Sequence, residues 1–193
     1  WDTDAEYFYY RHGPLARIEL GTDKVQGLDY LYTLQGYIKG VNGTAFNPET
    51  DMGQDGIFLP NTPSVNIGGN EFPLLPSNNN KNLIGYGGMN GNFAKDAFGY
   101  LLTYYENDYQ PIAGNQCLDG MEQSVGDVKY LYNGNIARMY TNIQNIGNNG
   151  YNYTYDQLNR LKTATAWNID ENRNMNLLPN NAYGVNLNYD ADG

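Results

Sequence analysis

Histidine and cysteine do most of the proton-transfer and nucleophilic chemistry near neutral pH, and this chain holds one of each, His12 and Cys117. His12 lies between Arg11 and Gly13-Pro14, a turn composition, with no serine or cysteine nearby in sequence for it to activate. Cys117 has Asp119 and Glu122 beside it and no local cation to favour a thiolate, so it reads as an ordinary free thiol. Two nitrogen or sulfur ligands are too few for zinc. Acidic residues group at Asp2 and Asp4, at Glu49, Asp51 and Asp55, and at Asp190-Ala191-Asp192-Gly193. The last resembles the opening of a calcium loop, but calcium wants six to eight oxygens and the same four residues make an ordinary turn. No carboxylate pair is positioned for glycoside cleavage, and the glycines form no nucleotide-binding pattern. The expectation is a non-enzymatic chain without a cofactor or bound metal.

The remaining candidates are the tyrosines, 19 of them against six Phe and two Trp. They recur in register. Tyr153-Thr154-Tyr155-Asp156-Gln157-Leu158-Asn159-Arg160-Leu161 is the clearest copy of a pattern in which Tyr-x-Tyr is followed by a turn former and then an aliphatic. Tyrosines two apart share one face of a strand, Asp156 to Asn159 supply a polar turn, and Leu161, Thr163, Thr165 and Trp167 resume a period-two face, which together predict a β-hairpin. Tyr7-x-Tyr9 with Gly13 and Leu15, Tyr30-x-Tyr32 with Gly36 and Ile38, and Leu187-x-Tyr189 with Asp190 and Gly193 follow at the same offsets. Tyr130-x-Tyr132 before Asn133-Gly134 reads as a fifth, shortened copy with a two-residue type I′ turn. Tyr9 to Tyr32 and Tyr132 to Tyr155 are each 23 positions apart, a period that points to repeats. Rows of tyrosine at matched positions would stack as cross-strand ladders, and their exposed faces could alternatively stack on sugar rings.

Elements that position such residues must be strands and tight turns, and the 23 glycines with abundant asparagine disfavour helix. The expected fold is all-β, built of antiparallel hairpin repeats. Irregular insertions fall at about 43–92, which is rich in Pro, Asn and Gly, and at about 110–126, with a strand of alternating pattern from Phe98 between them. The chain opens on Trp1 without an initiator Met and stops at Gly193 in the turn of a copy, so residues 1–193 read as a piece of a longer array. A net charge of −10 with 11 scattered basic residues excludes a nucleic-acid surface. No apolar run reaches the roughly 20 residues of a membrane span.

The Tyr-x-Tyr copies, above all Tyr153 to Leu161, together with Pro14-Leu15-Ala16-Arg17 and the stretch from Gly27 to Asn42, resemble the YD repeats of the Rhs family. The resemblance covers about half the chain, the two insertions carrying little of it. It implies a long β-ribbon wound into a hollow shell on an exported or cell-surface bacterial protein, like the related shells of teneurins and insecticidal toxin complexes. Its partners would then be flanking repeats and an enclosed cargo such as a C-terminal toxin, with an export machine or a surface glycan as further partners. The family's self-cleaving core has an Asp-Pro signature that is missing here, because every proline follows Gly, Asn, Thr, Phe, Leu or Gln. Its protease residues are therefore not carried over.

Overall fold

The computed structural model describes residues 2–43, 52–53, 55, 64–67, 70–73, 90, 93–109, 128–169 and 175–190. They form a ten-stranded antiparallel sheet that does not close, in the order β1 (Ala5–Tyr9), β2 (Leu15–Leu20), β3 (Gln26–Tyr32), β4 (Ile38–Val41), β7 (Phe98–Thr103), β8 (Arg138–Ile143), β9 (Gly147–Tyr155), β10 (Leu161–Ile169) and β11 (Met175–Leu177). The tenth strand, β12 (Val185–Asn186), shares the outer edge of β10 with β11. Between β4 and β7 a separate hairpin, β5 (Ser64–Ile67) and β6 (Asn70–Pro73), lies inside the first insertion. Among the described residues the helical content is one 3-10 turn, Pro179–Asn181. The second insertion, with Cys117, lies outside the described residues, as does Gly193.

The core is one row of residues across the sheet. Leu31 pairs with Gly40, Gly40 with Leu101, Leu101 with Tyr140, Tyr140 with Gly150, Gly150 with Trp167 and Trp167 with Leu177. Leu31, Leu101, Tyr140 and Trp167 are the buried cluster, with Met52 and Tyr109 packed against it. Large residues alternate with glycines for a steric reason. A Cβ on Gly40 would strike the Leu101 side chain, and one on Gly150 would strike the Trp167 ring. The Tyr140 and Trp167 rings therefore close over Gly150, stacked with centroids 5.6 Å apart. On the opposite face Tyr30, Val41, Tyr100, Thr141 and Asn149 form a row of their own.

Two expectations need correction. Tyr130-Leu131-Tyr132 is not a strand, and Gly134 alone of the Asn133-Gly134 pair has positive φ, so no type I′ hairpin forms. The incoming strand for β8 is β7, which supplies the ladder position that Tyr130-x-Tyr132 would have filled. The copy at Leu187-x-Tyr189 lies outside strands, with only the two-residue β12 formed before it, because Tyr183, with φ 59°, still belongs to the preceding turn. The polar stretch from Asn168 begins inside β10 and includes β11, whose edge pairing with β10 overrides its asparagine content.

Replacing Gly150 with Ala should lower stability by about 1–3 kcal/mol, since the Trp167 ring has to leave its place over Tyr140. Denaturant unfolding followed by Trp fluorescence checks it, and an unchanged midpoint would show that the row tolerates a side chain there.

Candidate functional site

Three hairpin ends share one loop. In each, the residue after the second tyrosine of the motif donates its amide to a carbonyl four positions on and accepts at its own carbonyl from the amide three positions on. The pairs are Tyr10 with Pro14 (2.9 Å) and Gly13 (3.0 Å), Thr33 with Tyr37 (2.8 Å) and Gly36 (2.9 Å), and Asp156 with Arg160 (3.0 Å) and Asn159 (3.1 Å). Gly13, Gly36 and Asn159 have φ of 113°, 87° and 63°. This is a three-residue loop whose last position must be left-handed, which glycine and asparagine tolerate. In each hairpin the tyrosine before the loop is the register partner of the aliphatic after it: Tyr9 with Leu15, Tyr32 with Ile38, Tyr155 with Leu161.

The loops differ in how they satisfy the amide four positions on. Asp156 Oδ1 accepts from the amides of Leu158 (2.8 Å) and Arg160 (2.9 Å), and its Oδ2 pairs with Arg160 Nε at 2.7 Å. Thr33 accepts through its hydroxyl from the Tyr37 amide at 3.2 Å. In the first loop the corresponding residue is Pro14, which has no N–H to satisfy, so Tyr10 is free to use its hydroxyl elsewhere. The Arg160 guanidinium also sits 4.1 Å over the Tyr189 ring.

Tyrosine hydroxyls then tie each hairpin to the next. Tyr104 donates to the Ile38 carbonyl (2.8 Å), Tyr155 to that of Ile136 (2.8 Å) and Tyr189 to that of Leu161 (2.6 Å). Each acceptor is the aliphatic that follows a turn, and each donor ends the next strand of the sheet or extends just beyond it. Tyr32 holds the equivalent position against Leu15, but there Tyr10 makes the link, donating to the Tyr30 carbonyl at 2.8 Å with its ring edge-on to Tyr32. Burial raises the pKa of Tyr32, Tyr100, Tyr104, Tyr153 and Tyr155, and Asp108 raises that of Tyr104 further. Apart from Tyr37 and Tyr104, whose rings meet tilted at 5.2 Å, no two tyrosines face each other in the described ladders, so hydroxyl links to backbone take much of the place of the expected ring ladder, with Tyr151 and Tyr153 stacking along one strand at 6.1 Å. Tyr7 and Tyr9 are exposed on the edge strand, Tyr132 packs tilted against Tyr105 at 4.8 Å, and Tyr130 and Asp190 lie outside strands.

No local pattern in the chain marks the buried polar groups. Arg17 pairs with Asp29, with Asp55 (2.8 Å) and with Glu19 (3.0 Å), under the Phe93 ring. Burial alone would lower the Arg17 pKa, but Asp29, Asp55 and Glu19 outweigh it and raise it. Lys39 pairs with Asp108 at 2.6 Å. Arg138 Nε and Trp167 Nε1 both donate to Asn152 Oδ1 at 3.1 Å, and burial lowers the Arg138 pKa. These groups come together from positions up to 69 residues apart, beyond any short motif. His12 is exposed and stacks on Tyr10 at 5.4 Å. Asp55 is held by Arg17, while its sequence companions Glu49 and Asp51, and Asp192 beyond Asp190, lie outside the described residues; no group of three or more His, Cys, Asp or Glu among the described residues could hold a metal. No helix among them is long and apolar enough to cross a membrane.

Fold and side chains together define an open antiparallel meander in which three hairpin ends share one loop and tyrosine hydroxyls link neighbouring strands. No protein-family model, curated protein or solved structure matches the chain.

Hydrogen bonds from its own loop, first that of the Arg160 amide, hold the Asp156 pKa below the ordinary carboxylate value. Its stabilising effect is therefore complete above the unfolded pKa of about 3.9 and lost as pH falls through the lower folded value. The melting-temperature gap between wild type and Asp156→Asn should be constant above about pH 5 and shrink in more acid solution; a gap that widens there would contradict it. Gly36→Val, placing a β-branched residue at φ 87°, should cost at least about 1–2 kcal/mol although the space around it is open. Equal urea midpoints would show that this loop relaxes freely.

Proposed function

We propose that the chain is a non-catalytic wall segment of an Rhs-type β-shell on a secreted or cell-surface bacterial protein, enclosing or presenting another part of the polypeptide such as a toxin. The observation that carries this reading is the recurrence of one loop, at Tyr10 to Pro14, Thr33 to Tyr37 and Asp156 to Arg160, with tyrosine hydroxyls crossing the seams that follow. A device that recurs at three hairpin ends serves the propagation of a sheet, whereas a catalytic or ligand site has no need to recur. The hydroxyls of Tyr10, Tyr104, Tyr155 and Tyr189 are used on backbone carbonyls, which favours wall over glycan platform. Two sets of buried charges are likewise paired within the wall: Lys39 with Asp108, and Arg17 with Asp29 and Asp55, which fastens the first insertion to β2 and β3.

In the intact polypeptide that carries this chain, limited proteolysis should leave an enclosed segment uncut. Asp156→Ala with Arg160→Ala, which opens a hairpin loop, should expose that segment to cleavage. Equal cleavage before and after the substitutions would overturn the enclosing role, and turnover abolished by a single Asp or Glu substitution would replace it with a hydrolase.

A further inference from the structure

We infer that the outer edge of β1 is a docking site for one kind of partner: the returning strand of another hairpin of this repeat type, bound antiparallel with Tyr9 as its hydroxyl link. The inference rests on the repeat-array part of the proposed function and is independent of any cargo.

Backbone alternation defines the donors and acceptors of this edge. Asp4 accepts from the Gly21 amide at 2.9 Å, so Asp4, Glu6 and Phe8 turn their backbone groups inward to β2. Ala5, Tyr7 and Tyr9 turn theirs outward, where no strand pairs among the described residues. Glu6 is the only charge within β1, and the strand has no proline, so it lacks the usual devices that block an edge apart from that carboxylate.

The internal seams show which strand fits. In the pairing of β10 with β12, Thr163 faces Asn186 and Ala164 faces Val185, so the register extends to place Tyr189 opposite Arg160 with its hydroxyl on Leu161. Extending β8 with β9 places Tyr155 opposite Asn135 and bonded to Ile136. Extending β4 with β7 places Tyr104 opposite Tyr37 and bonded to Ile38. In every case tyrosine faces the residue before an aliphatic and bonds the aliphatic's carbonyl. Tyr9 ends β1 as Tyr155 ends β9, pairs across its own loop with Leu15 as Tyr155 does with Leu161, and is 64% exposed with its hydroxyl bonded to nothing among the described residues. The same register sets an incoming aliphatic carbonyl against Tyr9 and the strand beyond it along Tyr7 and Ala5.

The test uses the full chain and a labelled peptide of residues 160–167, a returning strand that begins one residue before its aliphatic, with a scrambled peptide as control. Fluorescence anisotropy should show one-to-one binding of the native order only. Hydrogen exchange should show new protection at the amides of Ala5, Tyr7 and Tyr9. Tyr9→Phe should weaken binding roughly threefold to tenfold, the loss of one hydrogen bond. Tyr7→Pro removes an outward N–H while leaving the β1–β2 ladder whole, so it should abolish binding with exchange in β2 to β10 unchanged. Equal binding of the scrambled peptide, protection appearing at Val185 instead of β1, or a Tyr7→Pro chain that binds normally would overturn the site. So would a dimer of the free chain joined through β1, which would make a second copy the occupant. None of these outcomes depends on whether a cargo is enclosed.

Discussion

The structure depends on the register of one row, in which the large side chains of Leu31, Leu101, Tyr140 and Trp167 are separated by Gly40 and Gly150. In an ordinary two-layer fold a sheet buries its apolar face against a second layer. Here much of the cover is supplied by the sheet's own aromatic rings lying flat across glycine backbone, which is why Trp167, the largest side chain, is also among the most buried. Met52 of the first insertion and Tyr109, in the segment after β7, complete the cluster. Glycine is destabilising in a strand by itself. It is retained at these positions because any Cβ would occupy the volume that the neighbouring ring fills.

Buried charge closes the two ends of this face. Arg17 accepts the company of three carboxylates, and Lys39 is matched to Asp108, whose second oxygen takes the Tyr104 amide at 2.8 Å. A buried pair adds little net stability over an apolar substitute, yet removing one partner is costly because the other charge stays buried. Gly27 and Gly53 make room for the Arg17 cluster, since a Cβ on either would collide with it. The pairs therefore determine where the first insertion and the segment after β7 come down on the sheet more than how tightly they hold.

Periodicity and turn chemistry made much of the fold legible. Tyr7 to Leu15, Tyr30 to Ile38 and Tyr153 to Leu161 each carry two tyrosines at period two, a glycine or asparagine at the left-handed position and an aliphatic partner, and all three are local signals. Tyr130-x-Tyr132 carries the same tyrosine pair without strand formation, because β7, far away in sequence, takes the place beside β8. The pairing of β4 with β7 crosses the whole first insertion, and the Arg17–Asp55 and Lys39–Asp108 contacts cross 38 and 69 residues. No periodic pattern encodes such distances. The glycine row was also hidden, since nothing local shows that Gly40 and Gly150 lie against large side chains until their strand neighbours are known.

Tyr-x-Tyr by itself leaves the register ambiguous. A one-residue slip would turn every side chain to the other face, and the buried row forbids it. A two-residue slip keeps the faces and would bring Tyr153 to the place from which Tyr155 reaches Ile136, so the tyrosine pair alone would accept either register. Glycine decides between them. Moving β9 by two residues would set Asn148 or Asn152 against Tyr140 and Trp167 in place of Gly150, and the stacked rings would have no backbone to close over. It would also separate Asn152 from Arg138 and leave the guanidinium without that acceptor. The hydroxyl links therefore bind one hairpin to the next, while the glycine row between them selects which of two tyrosines makes the link.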